Sequence, residues 1–414
     1  MIKDPSPLVS SVATGYSQLL NSFDAGREIA ESMQSDLVLS GQTLLLLFAT
    51  PHHNVNNLIA GVKSVIGEDI DVLGCTTTGL ICNDFISYTG ALSGGLIISS
   101  DPPGFHFFSE ENINDREFDA GKKLAEKIKN ANLPDEHGLL FFYDSIKTTS
   151  TEGTPELNLA TPILQGFKEG YGYWPKIAGI GAWGDIQVVH PCQVWIENKI
   201  QRNLIGALSV SGRLKMDTVI MHGTKPMSDY HTITRAAKNV IYEIDGTPAL
   251  AFIDKLMGGS VPWEEFPLLV TLGVNTGDKY GDYQEELYAS RLCFGIDQEN
   301  KALIMFETDL ETGSEIQLMQ RNIDFKYIGL QVEKLFEKVG SAKPLAALYI
   351  DCLGRVSGFS GLQQEESLEV YQQLKGLPFF GIFSGVEIAN VGKEVKALDW
   401  TGVLCIISEN TTHE

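Results

Sequence analysis

Phe23-Asp24-Ala25-Gly26-Arg27-Glu28-Ile29-Ala30-Glu31 returns as Phe118-Asp119-Ala120-Gly121-Lys122-Lys123-Leu124-Ala125-Glu126, and a faded third copy stands at Asp324-Phe325-Lys326-Tyr327-Ile328-Gly329-Leu330. The segments downstream of the three copies are also alike. An apolar strand comes next (Thr43 to Ala49, Leu139 to Tyr143, Leu345 to Asp351), then a glycine-centred strand and turn (Val72 to Gly79, Ile177 to Asp185, Phe379 to Glu387). A strand of small and apolar residues closes each unit, at Gly94 to Ser99, Ile205 to Val210 and Gly402 to Ser408. The period, about one hundred residues, is too long for a solenoid repeat, so each copy reads as a helix-strand-helix-strand-strand half-domain.

Helices are predicted at Asp24 to Gln34, Asp115 to Asn130, Thr232 to Glu243 and Ser314 to Val339, where apolar residues recur at three and four and acidic residues favour the first turn. Asn21 or Ser22 can cap the first. The glycine inside each repeated helix (Gly26, Gly121, Gly329) is unfavourable for a helix, so its recurrence points to close packing of helix on strand. Leu44 to Phe48 and Leu139 to Tyr143 are continuously apolar, as strands covered on both faces are, whereas Gln193 to Glu197 alternates like a half-exposed strand. Arg291 to Asp297 and Ala302 to Glu307 flank a hairpin candidate at Gln298-Glu299-Asn300. The fold class expected is α/β: two domains with mixed β-sheets flanked by helices. The N-terminal domain, residues 1–212, holds two modules; the C-terminal domain, 213–414, begins after the Ser211-Gly212-Arg213 turn.

The chain of 414 residues is long enough for two full cores. Asp and Glu outnumber Lys and Arg by 53 to 31 with no basic cluster, which argues against nucleic-acid binding and anionic membranes. Met1 to Pro7 shows no basic-then-apolar signal pattern, and no apolar run approaches a membrane span, so a cytoplasmic location without membrane insertion is expected. The six cysteines are scattered and form no Cys-x-x-Cys pair, which fits a reducing compartment and supports neither a disulfide framework nor a structural zinc site.

Several stretches, in order, resemble the landmarks of FIST-domain proteins: Val72-Leu73-Gly74-Cys75-Thr76-Thr77-Thr78-Gly79, Ile177 to Asp185 with its Gly-Ala-Trp-Gly-Asp ending, Ile244 to Leu250, Cys352-Leu353-Gly354-Arg355, and Phe380 to Ile388. The resemblance covers nearly the whole chain as a FIST N part followed by a FIST C part. It implies a signal-input module that binds a small molecule such as an amino acid, or, in some stand-alone members, a haem-based nitric oxide sensor that regulates a histidine kinase. There is no room here for a kinase or cyclase, so the output would be a separate protein. The family's first glycine turn commonly reads small-Gly-Glu-Ile, whereas this chain has Thr78-Gly79-Leu80-Ile81 and lacks that acidic residue.

The glycine turns are the first site candidates: Cys75, Thr76, Thr77, Thr78 and Gly79 offer backbone N–H groups and three hydroxyls to a carboxylate, with Ala182, Trp183, Ser384 and Gly385 at the equivalent turns. The competing reading is a tight turn whose threonines satisfy their own backbone. In the last module Asp351, Cys352, Arg355, Glu366 and Glu387 stand near strand ends. Arg355 suits a bidentate carboxylate and Glu387 an amine, against the alternative of an ion pair from Arg355 to Glu366 or Glu387. The chain is expected not to be an enzyme. A thiol enzyme built on Cys75 or Cys352 is the alternative, but no histidine is placed beside either, and Gly381-Ile382-Phe383-Ser384-Gly385 has the wrong spacing for a nucleophile elbow. No cofactor is expected. Non-covalent haem b is the alternative, with His52, His53, His222 and His231 as candidate axial ligands and the His52–His53 pair at a strand mouth.

Overall fold

The computed structural model describes residues 10–134, 137–153, 155–197, 199–322 and 324–410; the N-terminal stretch Met1 to Pro7 lies outside them. The first module runs β1 (Ser11–Ser17), α1 (Ser22–Gln34), β2 (Gln42–Ala49), α2 (Val55–Ile66), β3 (Asp71–Cys75), a hairpin of β4 (Leu80–Cys82) and β5 (Phe85–Ser87), then β6 (Ser93–Ser100). The second repeats it: β7 (Phe105–Glu111), α3 (Glu117–Asn130), β8 (Gly138–Asp144), α4 (Ala160–Tyr171), β9 (Lys176–Ala182), the hairpin β10 (Val194–Ile196) and β11 (Lys199–Gln201), and β12 (Leu204–Val210). The third opens with β13 (Leu214–Met221) and then carries an insertion through Arg321 that includes the helix α5 (Ala249–Leu256). It resumes with α6 (Lys326–Val339), β14 (Lys343–Cys352), α7 (Glu366–Gln373), β15 (Phe379–Ser384), the hairpin β16 (Val386–Val391) and β17 (Glu394–Leu398), and β18 (Gly402–Glu409).

Three six-stranded sheets have one plan: β1-β6-β2-β3-β10-β11, β7-β12-β8-β9-β16-β17 and β13-β18-β14-β15-β4-β5. Within each, only the central pair is parallel (β2/β3, β8/β9, β14/β15). The two outer strands of every sheet are a hairpin lent by another module. The first lends to the third, the third to the second and the second to the first, so the three close into a ring. The turn expected to divide the chain at residue 212 lies between β12 and β13, and strands from either side of it share two of the sheets.

The apolar runs become the expected twice-covered strands. Leu44, Leu46 and Phe48 of β2 and Leu140 and Phe142 of β8 face a common central core, while Leu45 and Leu47, and Leu139 and Phe141, face the helices. Phe48 lies 6.1 Å from Phe142 and 5.8 Å from Phe380, so an aromatic ring from each module meets at the centre. Asn21 caps α1, its side chain accepting from Phe23 N at 3.0 Å and Asp24 N at 3.1 Å.

Four expectations change. The repeated glycine packs helix on helix: a Cβ on Gly26 would sit 2.0 Å from Leu58 O on α2, and one on Gly121 2.0 Å from Ile163 O on α4. Gly329 has no such close neighbour, which is why the third copy is faded. Thr232 to Glu243 is an antiparallel pair, His231–Ala237 with Val240–Ile244, because β-branched residues cluster in both arms, Thr232-Ile233-Thr234 and Val240-Ile241, and Lys238, at φ 55°, makes the turn. Ser314 to Val339 divides into a strand, Glu315–Arg321, and α6. Finally Val194 to Ile196 is wholly buried, as the strand joining one module's sheet to another's hairpin must be. The hairpin around Gln298-Glu299-Asn300 forms as expected, between Tyr288–Asp297 and Ala302–Met305.

The insertion is an antiparallel sheet with its own core of Ile233, Ile241, Leu250, Phe266, Leu272, Met305 and Leu318. It is bound to the ring by polar contacts. Glu307 accepts from the first free N–H groups of α4, Ala160 at 3.0 Å and Thr161 at 2.9 Å; Arg291 donates to Ala397 O at 2.7 Å; Leu292 N donates to Asp399 Oδ2 at 2.9 Å.

Candidate ligand-binding site

The glycine turns of the three modules come together at the strands' C-terminal ends. Thr77 Oγ1 donates to Phe383 O at 2.8 Å and Thr78 Oγ1 to Trp183 O at 3.1 Å, while Gly385 N donates to Gly181 O at 3.2 Å. Cys75, Thr76, Thr77, Thr78, Gly79 and Ala182 are buried in these contacts. The three threonine hydroxyls are committed to main-chain partners, the third through Thr76 Oγ1, which accepts from Gln193 N at 3.0 Å. The turn of the first module therefore serves as a wall between modules.

Beside that wall, at the C-terminal ends of β14 and β15, opens a cavity of about 250 Å³. Trp183, Cys352, Ser384 and Gly385 of the expected set line it from the ring, with Leu353, Gly354, Phe359, Asp399 and Trp400. Leu268, Leu292, Phe294, Phe306 and Arg321 line it from the insertion. Trp183 lies flat against Gly385: a Cβ there would stand 2.0 Å from the indole. Ile186, Leu268, Phe294 and Phe359 are large apolar residues left roughly half exposed (53%, 48%, 50% and 48%), and all four rim this one cavity. Leu268 and Trp400 also hold left-handed backbone, at φ 63° and 53°, a conformation that bulky residues rarely adopt and that gathers at functional sites.

Arg355 is buried beneath the cavity and directs its donors inward. Nε donates to Asp351 Oδ1 at 2.9 Å, Nη1 to Trp400 O at 3.2 Å, and Nη2 to Tyr327 Oη at 3.2 Å and to Glu366 Oε2. The arrangement is the ion pair to Glu366, extended to Asp351, and the carboxylate-clamp geometry expected of Arg355 is absent. Glu387 likewise lies behind the lining: Ser384 Oγ donates to its Oε1 at 2.6 Å and its buried Oε2 has no partner among the described residues. Burial pushes the Glu387 carboxyl well above its usual range, and the Asp351 carboxyl to about 7, so Glu387 is ill-suited to receive an amine. Asp399, which does face the cavity, is raised to about 6 by the same cause.

Sequence reasoning missed Arg321. It falls in the span taken for a helix, yet its strand Glu315–Arg321 sets it at the cavity edge, where its guanidinium lies 3.3 Å from the centroid of the Trp400 ring. Ile316 and Leu318 alternate with Glu315 and Gln317, the period of a strand, which was the available signal. Asp399 and Trp400 were missed as well, sitting in an unremarkable turn before the last strand.

The haem alternative does not fit this cavity. At about 250 Å³ it is too small for a macrocycle of the size of haem, and none of His52, His53, His222 and His231 lines it. His222 is fully buried between Thr224 Oγ1 (2.8 Å) and Glu285 O (3.1 Å); His53 faces Ser22 Oγ at 3.3 Å; His231 pairs with Asp245 at 2.8 Å; His52 contacts Thr50 Oγ1 at 3.4 Å. Burial lowers the pKa of His53 and His222. All six cysteines are buried, and burial raises the Cys75 and Cys352 thiols, away from the range of a nucleophile.

The family model for the FIST N domain matches residues 43–247, and that for the FIST C domain matches 249–390. An uncharacterized protein of Methanocaldococcus jannaschii is 25% identical over 370 residues, covering 82% of this chain and 65% of that protein. An uncharacterized protein of Mycobacterium tuberculosis is 25% identical over 214 residues, covering 50% of this chain and 53% of that protein. The chain thus spans between about half and two thirds of the length of these relatives. The crystal structure of cyanuric acid hydrolase from A. caulinodans aligns over 98% of this chain and 100% of its own at 8% identity and a TM-score of 0.38, a likeness too loose to bear on chemistry. With its two matched models covering most of its length, the chain belongs to the FIST family of signalling-associated domains.

Proposed function

We propose that this protein is a small-ligand sensor, a signal-input protein that binds an amino-acid-sized molecule with an apolar body and hands the signal to a separate partner such as a histidine kinase. The observation that carries this reading is the cavity at the seam of ring and insertion, apolar, rimmed by half-exposed side chains and flanked by two strained bulky residues. A ligand changes a partner's response only by binding one conformation better than another. A molecule touching Trp183 and Leu353 on the ring and Leu268 and Phe294 on the insertion would draw the two bodies together, and their relative setting is what a partner would read. In this reading the protein turns nothing over. The high thiol pKa of Cys352, the cysteine that lines the cavity, supports that.

The test is a melting screen of purified protein against small acids, amides and amines, run with an absorption spectrum. A ligand at one hundred times its Kd adds about 2.7 kcal/mol of stability. Stabilisation by a compact apolar molecule, lost when Gly354→Trp fills the cavity, is the expected result. No shift with any compound, together with a Soret band, would replace this reading by the haem sensor.

A further inference from the structure

We propose that the cavity takes its ligand by a single carboxylate head group and that Arg321 receives it, the ligand being a compact apolar monocarboxylic acid. This rests on the cavity being the sensor's site and adds the class of molecule that fills it.

This protein pairs its other buried arginines with carboxylates. Arg291 is held by Asp309, with Nε donating to Oδ1 at 2.7 Å, and Arg355 by Asp351 and Glu366. Both are compensated, as a buried cation must be. Arg321 is half-buried, yet among the described residues no carboxylate stands within ion-pair distance of it. Among the described residues its side-chain hydrogen bonds run from Nη2, to Leu268 O and, at 3.4 Å, to Thr271 Oγ1, and its buried Nε has no acceptor. Burial lowers its pKa to about 10, the mark of a charge that lacks a partner.

The surroundings hold this cation in place. Trp400 stacks on one face of the guanidinium, and the two left-handed residues flank it: Leu268 supplies the carbonyl, Trp400 the ring. A guanidinium fixed against an aromatic face is pre-organised for a planar anion. The remainder of the lining is apolar, from Phe294, Phe306, Leu292, Leu353 and Phe359, and suits a hydrocarbon or aromatic body. Asp399 is the lining acid, and it disfavours ligands with a second negative charge, which is why the class is monocarboxylate.

A purely structural Arg321, clamping the insertion to Trp400, would not distinguish an acid from its amide, and this separates the two roles. Isothermal titration with 3-phenylpropionate and 3-phenylpropionamide is run on the full-length protein and on its Arg321→Met, Arg321→Gln and Arg321→Lys variants, each checked by its melting curve. The acid should bind wild type at least about tenfold tighter than the amide, a gap of about 1.4 kcal/mol. That preference should vanish in the Met and Gln variants and survive in part in Lys. Equal affinity for acid and amide in wild type overturns the carboxylate assignment while leaving the cavity as the sensor site. A preference that persists in folded Arg321→Met removes Arg321 from the role. If neither probe binds wild type, the carboxylate assignment falls, and the melting screen decides the sensor reading separately.

Discussion

Replacing Arg355 by Met should unbalance the protein from within. The side chain is 2% exposed and neutralises Asp351 and Glu366, which are 2% and 8% exposed. Its removal leaves two carboxyls in the low-dielectric interior beside Tyr327 and Tyr349, with Trp400 O losing a donor as well. Breaking one buried pair of this kind costs about 3–5 kcal/mol. With an unfolding entropy of ~2.1 cal/mol/K per residue over 414 residues, that lowers Tm by about 3–6 °C. Calorimetry on wild type, Arg355→Met and the double variant Arg355→Met/Glu366→Gln measures it, and the double variant should recover part of the loss because one orphaned carboxyl is gone. Arg321→Met should cost much less, since no carboxylate depends on it. If Arg355→Met melts within a degree of wild type yet no longer binds ligand, Arg355 is the clamp after all and the structural assignment is refuted.

Asp399→Asn should tighten 3-phenylpropionate binding and weaken L-phenylalanine binding in titration calorimetry, because the change removes a partial negative charge from the cavity and Asn can still accept from Leu292 N. Stability should fall as pH rises from 5.5 to 7.5. Asp144 and Asp399 (about 6), Asp351 and Glu307 (about 7) and Glu387 (well above its usual range) are all shifted up by burial, so the folded state binds more protons than the unfolded one as pH rises through that range. The buried neutral His53 and His222 work in the opposite direction, but they are two against five. Melting curves across that range check the sign, and a Tm that climbs steadily to pH 7.5 contradicts it. Residues 1–212 and 213–414 made separately should each lack cooperative unfolding by circular dichroism, because β16 and β17 complete a sheet of the first fragment and β4 and β5 a sheet of the second.

The repeat was legible because each copy carries the same local demands. A glycine must let two helices touch, and an apolar run must be buried on both faces, so Gly26 and Leu44 to Phe48 declare themselves alike in the first module and the second. The exchange of hairpins was not legible, since Leu80 to Ser87 looks the same whether it pairs with its own module or with Phe380, and only tertiary contacts decide. The insertion was half read: the hairpin at Gln298-Glu299-Asn300 announces itself by turn chemistry, while Thr232 to Glu243 also satisfies a helical spacing that strand pairing overrides. At the site, the turns near Trp183 and Gly385 were found from their glycines. Arg321 was not, because its meaning comes from the absence of a partner, and a lone sequence shows charges without showing which of them are paired.

In the proposed sensor one ligand fills the seam between Trp183 and Trp400. The chain has five tryptophans, and only these two line the cavity, Trp174, Trp195 and Trp263 lying elsewhere. Fluorine NMR of protein labelled with 5-fluorotryptophan, titrated with 3-phenylpropionate, reads all five at once. The Trp183 and Trp400 resonances, assigned by single Trp→Phe substitutions, should move together along one saturating curve while the other three stay within their line widths. Movement of Trp263 or Trp195 with Trp183 and Trp400 unchanged would contradict the account.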